Sequence, residues 1–291
     1  MAILSGYNSY FDCSLDDPGK VDDPETVVGG YISSVEAWEG WQIDWRLSLA
    51  KFNVPHFHMR EFLSYSGAFI DSKWKLESYR AQFLSELVSV INRFTIATFA
   101  SFIKKSMFDS ANGFFELDKH ANPYSLCSRD CSDRAHKFIR ETYKSEMPVA
   151  YIFEKGDKGA GMLIDLMEWS KLPRPIFKRP RFNLKNPKLD RDDPPAIQLQ
   201  ACDLIAWEVR RGKKDWALKQ KLRSSLFALG KGKHKEWKEC THDALSVFIT
   251  KKRIPLRQEW RHLLDYPSFG PYKNWECTSP SPSESEGHAR V

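Results

Sequence analysis

The chain has no apolar run near ~20 residues and a mean hydropathy of -0.51, which excludes a membrane-spanning helix. Its opening, Met1 to Gly6, lacks both a basic stretch and a long apolar stretch. It does not read as a secretory signal, and a cytoplasmic location is expected. Cysteine is scarce: six in 291 residues, with no secreted disulfide framework. Only Cys127 and Cys131 stand close together, where they could share a helical face with His120 or His136 nearby. No second cysteine pair completes a tetrahedral zinc set, so reduced structural thiols are expected. Internal repeats are absent. The one biased segment is Thr278 to Val291, rich in Ser, Pro and Glu, where disorder is expected.

What the chain does have is aromatic bulk. Hydrophobic residues make up 42%, with ten Trp and nineteen Phe, enough for a sizeable core. Net charge is +6, and the basic residues cluster in the second half. Lys171, Arg174, Lys178, Arg179, Arg181, Lys185 and Lys188 form one group. Arg210, Arg211, Lys213, Lys214, Lys219, Lys221 and Arg223 form another, and Lys231, Lys233, Lys235 and Lys238 a third. Such clusters fit a polyanion partner, set against the commoner case of a solvated surface.

Beside them lies the most telling stretch, Ile197 to Arg211. On a helix, its apolar residues Ile197, Leu199, Ala201, Cys202, Leu204, Ile205, Ala206 and Val209 cover most of the circumference. A helix apolar nearly all round is a buried one. Asp203 sits inside it with no Lys or Arg one turn away. A buried carboxylate must find a hydrogen-bond partner, a proton or a metal ion.

Taken in order, the chain alternates strands and helices. Tyr7 to Cys13 reads as a strand with Asp12 at its end, and 15–20 as a turn. Thr26 to Ser33 completes a β-hairpin. Ser34 caps a helix bearing Trp38, Trp41, Trp45 and Leu49 at helical spacing, which is core packing and not a base-stacking platform. Val54 to Phe62 reads as a short strand running into a turn, with His56 and His58 on one face beside Glu61. Two imidazoles there are a metal or substrate contact, or else half-buried histidines with backbone partners. Trp74 to Arg93 is an amphipathic helix, Phe94 to Ile103 a strand, and Phe108 to Asn122 an irregular crossover. Pro123 to Lys144 is a helix. Met147 to Phe153 is a strand with Glu154 at its C-terminal end, where open α/β sheets place their sites. Asp157 fits the role of an acidic group near the next helix start, at 161–169. Leu172 to Pro195 reads as a hairpin or ordered loop with a basic face. Beyond the Asp203 helix, Lys213 to Leu229 is read as a basic helix and Glu236 to Ile254 as partly helical. The whole reads as an α/β domain over 1–211, a basic helical extension over 212–276 and a disordered tail over 277–291.

These pieces coincide in order: Tyr10-Phe11-Asp12-Cys13-Ser14, Val27-Val28-Gly29-Gly30-Tyr31, Trp38 with Trp45, Phe57-His58-Met59-Arg60-Glu61-Phe62, Phe153-Glu154, and Gln198-Leu199-Gln200-Ala201-Cys202-Asp203-Leu204. The order resembles the domain-of-unknown-function family numbered 3800, over roughly the first 211 residues. That family typically opens with Asp-Glu-Ser-Gly on its first strand and carries a late Gln-x-Ala-Asp-Leu helix. The resemblance implies a ribonuclease-H-like mixed sheet flanked by helices. It matches Asp12 to the first-strand Asp, Glu154 to the strand-end Glu, Asp203 to the helix Asp and His58 to the His after Phe. This sequence departs in having Cys13 where the family often has Glu, Leu15 after Ser14, and Cys202 before Asp203. Whether one ion or two would bind is therefore open, with Asp16 or Asp17 as substitute ligands.

In ribonuclease-H-like sites, carboxylates from separate strands and a late helix converge on Mg²⁺ or Mn²⁺, hard ions suited to oxygen ligands. The expectation is thus a metal-dependent nuclease. Asp12, Glu154 and Asp203 are its metal ligands and catalytic acids, and His58 positions water or moves a proton. His56, Arg60, Lys178, Arg181 and Arg210 are expected to contact a nucleic-acid substrate through its phosphates. The rivals are a catalytically silent nucleic-acid- or protein-binding module of the same fold, and a structural zinc protein built on Cys127 and Cys131.

Overall fold

A computed structural model describes residues 6–15, 24–144, 146–182, 187–217, 224–229, 231–259 and 261. Leu15 ends a strand, and the rest of the expected turn over 15–20, with Asp16 and Asp17, and the expected tail over 277–291 lie outside the described residues.

A mixed sheet forms the centre. Its strands are β1 (Tyr7–Leu15), β2 (Glu25–Ser34), β3 (Ala97–Lys104), β4 (Val149–Glu154), β5 (Ile176–Lys178) and β6 (His234–Glu239), in the order β5-β4-β1-β2-β3-β6. β1 and β2 pair antiparallel, as do β2 and β3; β4 runs parallel to β1, β5 to β4 and β6 to β3.

Alternation along each strand sorts side chains to two faces. Tyr10, Val27, Tyr31, Ala100, Phe102 and Ile152 face a layer built from α1 (Val35–Lys51), α3 (Glu77–Phe94) and α8 (Leu199–Ala217). Phe11, Val28, Ile32, Phe99, Tyr151 and Phe153 face α5 (Pro123–Tyr143) and its neighbour α6 (Ala160–Trp169). The molecule is therefore an α/β protein with a mixed sheet flanked by helices on both sides.

The tryptophan helix packs as expected. Ser34 caps α1 through Ala37 N–H at 3.2 Å, and Trp38, Trp41 and Trp45 are buried against one another and the sheet. Indole Nε1 of Trp38 donates to Asn8 O at 2.8 Å, so that polar atom is satisfied inside the core.

Several elements differ from the sequence reading. Residues 54–58 are extended without sheet partners and lead into α2 (Met59–Ser64). The supposed crossover over 108–122 contains α4 (Lys105–Phe114), whose buried Phe108 and Ala111 fill one side at helical spacing. Among the described residues of 172–195 no hairpin forms: β5 extends the sheet beside β4, and α7 (Pro187–Asp192) lies later in the segment. α8 continues to Ala217, across the expected boundary at 211, and α9 (Ser224–Ala228) follows beyond 218–223, which are outside the described residues.

Most unexpectedly, His234-Lys-Glu-Trp-Lys-Glu239 is the edge strand β6, with α10 (His242–Lys252) after it. Its sequence shows no apolar alternation because neither face is deeply buried. What holds it is backbone pairing to β3 and the buried guanidinium of Arg134 on α5, which donates to Glu236 O at 2.7 Å and Ala100 O at 2.8 Å. The segment after 211 thus contributes a strand to the same sheet as well as helix. Among the described residues no helix is long and apolar enough to cross a membrane.

Candidate functional site

Register brings the first two acids together. Phe11 of β1 pairs with Phe153 of parallel β4, so Asp12 and Glu154 lie side by side on the face toward α8, at the C-terminal end of β4. At this spacing the charge of Glu154 bears directly on Asp12. Asp12 also accepts the Cys13 N–H at 2.7 Å. Burial, then repulsion from Glu154 and Asp203, raises Asp12 well above the usual carboxylate range.

The third acid arrives on α8, which lies close on the sheet at a glycine. A Cβ on Gly29 would stand a tight 3.1 Å from the backbone of Ala206, so the bare backbone of β2 here favours this close approach. One turn earlier on the helix, Cys202 donates its thiol to Tyr10 O at 3.1 Å. Asp203 therefore faces the end of β1. Its Oδ2 accepts the Met59 N–H at 2.6 Å, and His58 Nε2 stands 4.0 Å away. Burial raises its pKa, while the Met59 N–H and His58 offset only part of that rise.

Gln200 locks the walls around these acids. Its Oε1 accepts from Trp45 Nε1 at 3.1 Å and from Phe57 N–H at 2.9 Å; its Nε2 donates to Pro180 O at 2.8 Å. One buried amide thus joins α1, the histidine segment, the segment after β5 and α8. His56 and His58 both line the resulting cleft; Phe57, though buried, lines it as well, and Met59 is buried behind. The expected alternation over 56–59 is thus only partial, and no strand forms there. At the rim, Glu61 accepts from Arg181 Nη1 at 3.2 Å and lies 3.2 Å from His56 Nε2. Burial opposes the charge on Glu61, but the Ala68 N–H, His56 and Arg181 outweigh it and lower its pKa.

The cleft has a volume of about 540 Å³. Asp12, Glu154, Asp203, His58, His56 and Arg181 all line it. Three expected contacts do not. Arg60 is exposed and outside the lining, and Lys178 is held by Asp193 at 2.6 Å. Arg210 donates to Leu15 O beyond the cleft, although its charge still eases the burden on Asp203. The basic clusters are more neutralised than their sequence suggests: Arg179 pairs with Asp190 at 2.8 Å, Lys213 with Glu25 at 2.7 Å and Arg211 with Asp215 at 3.0 Å.

Sequence reasoning missed part of the site. Lys155, Arg179 and Gln200 also line the cleft. Asp157 stands near the start of α6, as expected, but outside its first turn. α6 has Gly159 as its N-cap and no acid in its first turn. Asp157 is instead half-buried beside Glu154, with Oδ2 unpartnered, and burial followed by Glu154 pushes it up to about 7. Its spacing of three from Glu154 was the available signal. Cys127 and Cys131 are buried in α5, and their thiols point to Thr26 O and Val28 O of β2. Burial raises both pKa values, that of Cys131 to about 12, as for neutral packing thiols.

Among the described residues no three His, Cys, Asp or Glu side chains are grouped to hold a metal ion as they stand. The donors fit a hard divalent cation in kind. They are oxygen-only, crowded and mutually repelling, and the unpartnered Oδ2 of Asp157 lies at the edge of the cluster. No family model matches the chain, and no curated protein or solved structure is significantly similar to it.

Proposed function

We propose that this chain is a Mg²⁺- or Mn²⁺-dependent phosphodiester hydrolase acting on nucleic acid, with a ribonuclease-H-like fold akin to the domain-of-unknown-function family numbered 3800. The observation that carries this reading is the meeting of Asp12, Glu154 and Asp203, from two strands and a late helix, at one cleft. Residues this far apart in sequence gain nothing in stability by collecting carboxyls that repel one another, as the raised pKa values of Asp12 and Asp203 record.

Asp12, Glu154 and Asp203 would hold the cation, with Asp157 beside them. When bound, the cation supplies an acidified water and neutralises charge on the phosphate. His58, at the mouth of the acid cluster, takes or gives a proton at an imidazole nitrogen. Arg181 and Lys155 orient the phosphodiester, and the buried floor limits bulk water.

The test is cleavage of single-stranded, duplex and hybrid oligonucleotides with Mg²⁺ or Mn²⁺, for wild type and Asp203→Asn. Metal-dependent cleavage lost in the variant supports the reading. Equal inactivity of both under every metal removes it. A second reading, a binding module that keeps the fold without the chemistry, is favoured by one observation: burial, with Glu154 and Asp203 close by, holds Asp12 well above the usual carboxylate range and so favours its neutral form. On that reading Asp12→Asn leaves nucleic-acid affinity unchanged and no divalent ion binds.

A further inference from the structure

Phe182 follows Arg181 at the mouth of the cleft with 48% of its surface exposed. A single exposed aromatic needs no explanation on an ordinary surface. This one stands on the wall of the same cleft whose floor carries Asp12 and Asp203. The guanidinium of Arg46 lies 5.7 Å from its ring centroid. The neighbouring rim carries two cations: Arg181, half-exposed and paired with Glu61 at 3.2 Å, and Lys155, whose ion pair with Asp193 is a loose 3.8 Å. The cleft is therefore layered, with acid at the bottom, cations at the lip and an aromatic ring beside the cations.

Its dimensions add a constraint. Asp12 is only 6% exposed, so a phosphate reaching it must enter the recess. A recess of about 540 Å³ is the size of a small-molecule pocket. It accepts a nucleotide splayed from its neighbours, whereas a stacked duplex keeps its phosphates on a broad, rigid surface. Aromatic stacking with flanking cations is how proteins hold unpaired strands without reading sequence.

We infer that the substrate of this site is single-stranded nucleic acid, with an unpaired base stacked on Phe182 and the adjoining phosphates held by Arg181 and Lys155. The inference rests on the phosphodiester reading of the cleft and names its substrate class.

The experiment measures binding without turnover: fluorescence anisotropy of end-labelled single-stranded and duplex oligonucleotides in Ca²⁺, with wild type, Phe182→Ala and Phe182→Trp. The expected result is at least tenfold tighter binding of the single strand over duplex. Phe182→Ala weakens the single strand at least about fivefold, and Phe182→Trp restores it. Circular dichroism checks that the variants fold. Duplex bound as tightly as the single strand, or Phe182→Ala binding like wild type, overturns the inference. Hydrolysis of bis(p-nitrophenyl) phosphate by wild type and Asp203→Asn, run in parallel with Mn²⁺, reports on the chemistry alone. Hydrolysis without Phe182-dependent binding leaves the hydrolase standing and sinks the single-strand assignment. Phe182-dependent binding with no hydrolysis does the reverse.

Discussion

The carboxylate of Asp203 and the backbone N–H of Met59, 144 positions apart in the chain, meet in a 2.6 Å hydrogen bond. That contact fixes the distance between the late helix and the histidine segment, and so decides where His58 stands relative to the acids. Asp203 is at once a structural acceptor and a member of a repelling cluster.

The two roles separate by substitution. Asp203→Asn keeps an oxygen for the Met59 N–H and sheds the charge, so it folds at wild-type stability or above. Asp203→Leu strands the N–H and costs about 1–3 kcal/mol in urea unfolding. Mn²⁺ stabilises wild type by ligand linkage, by about 2.7 kcal/mol at a hundred times Kd, which raises its melting temperature, and has no such effect on Asp203→Asn. An equal Mn²⁺ shift in both proteins counts against Asp203 as a ligand.

Asp157 imposes a pH dependence on stability. Its folded pKa of about 7 lies above the ordinary value of 3.8. Between those values the folded chain keeps a proton that the unfolded chain has released. This group's contribution to stability is therefore complete below about pH 4 and is lost as pH rises through 7. Asp12 and Asp203, also raised, act with the same sign. In metal-free buffer at about pH 8, Asp157→Asn should melt higher than wild type, by roughly 2–4 °C per kcal/mol relieved. The difference should vanish near pH 4; a gap independent of pH contradicts the assignment.

Gln200 is the fastening of the cleft. Gln200→Ala leaves the Trp45 indole N–H and the Phe57 N–H without their acceptor and frees Pro180 O. The expected loss is about 2–5 kcal/mol, since each stranded buried group costs roughly 1–3 kcal/mol. Equilibrium unfolding measures it, and the altered polarity around Trp45 shows in tryptophan emission. A loss below about 0.5 kcal/mol would mean that water replaces the amide freely.

Gly29→Val tests the helix seat. Two further carbons beyond a Cβ already 3.1 Å from the Ala206 backbone must push α8 off β2. A cost of about 1–3 kcal/mol is expected from overpacking, accompanied by weaker Mn²⁺ binding because Asp203 moves with the helix. Unchanged stability would show that the sheet yields instead.

The sequence by itself determined the elements whose environments are uniform. β1 alternates, α1 repeats its tryptophans at helical spacing, and the Asp203 helix is apolar nearly all round because most of it is buried. It also singled out Asp12, Glu154 and Asp203, since a carboxylate inside an apolar run is conspicuous wherever the run folds. Only tertiary structure decided the rest. β6 carries almost no apolar residues, and its place depends on the edge of β3 and on Arg134, 102 positions from its partner Glu236. Lys178 and Arg179 looked like free charges until folding set Asp193 and Asp190 beside them. Asp157 acquired its character from burial next to Glu154, and Gln200 from three partners drawn from separate segments. Periodicity records which side of an element is dry; which charge or amide meets it from elsewhere depends on contacts that no local pattern encodes.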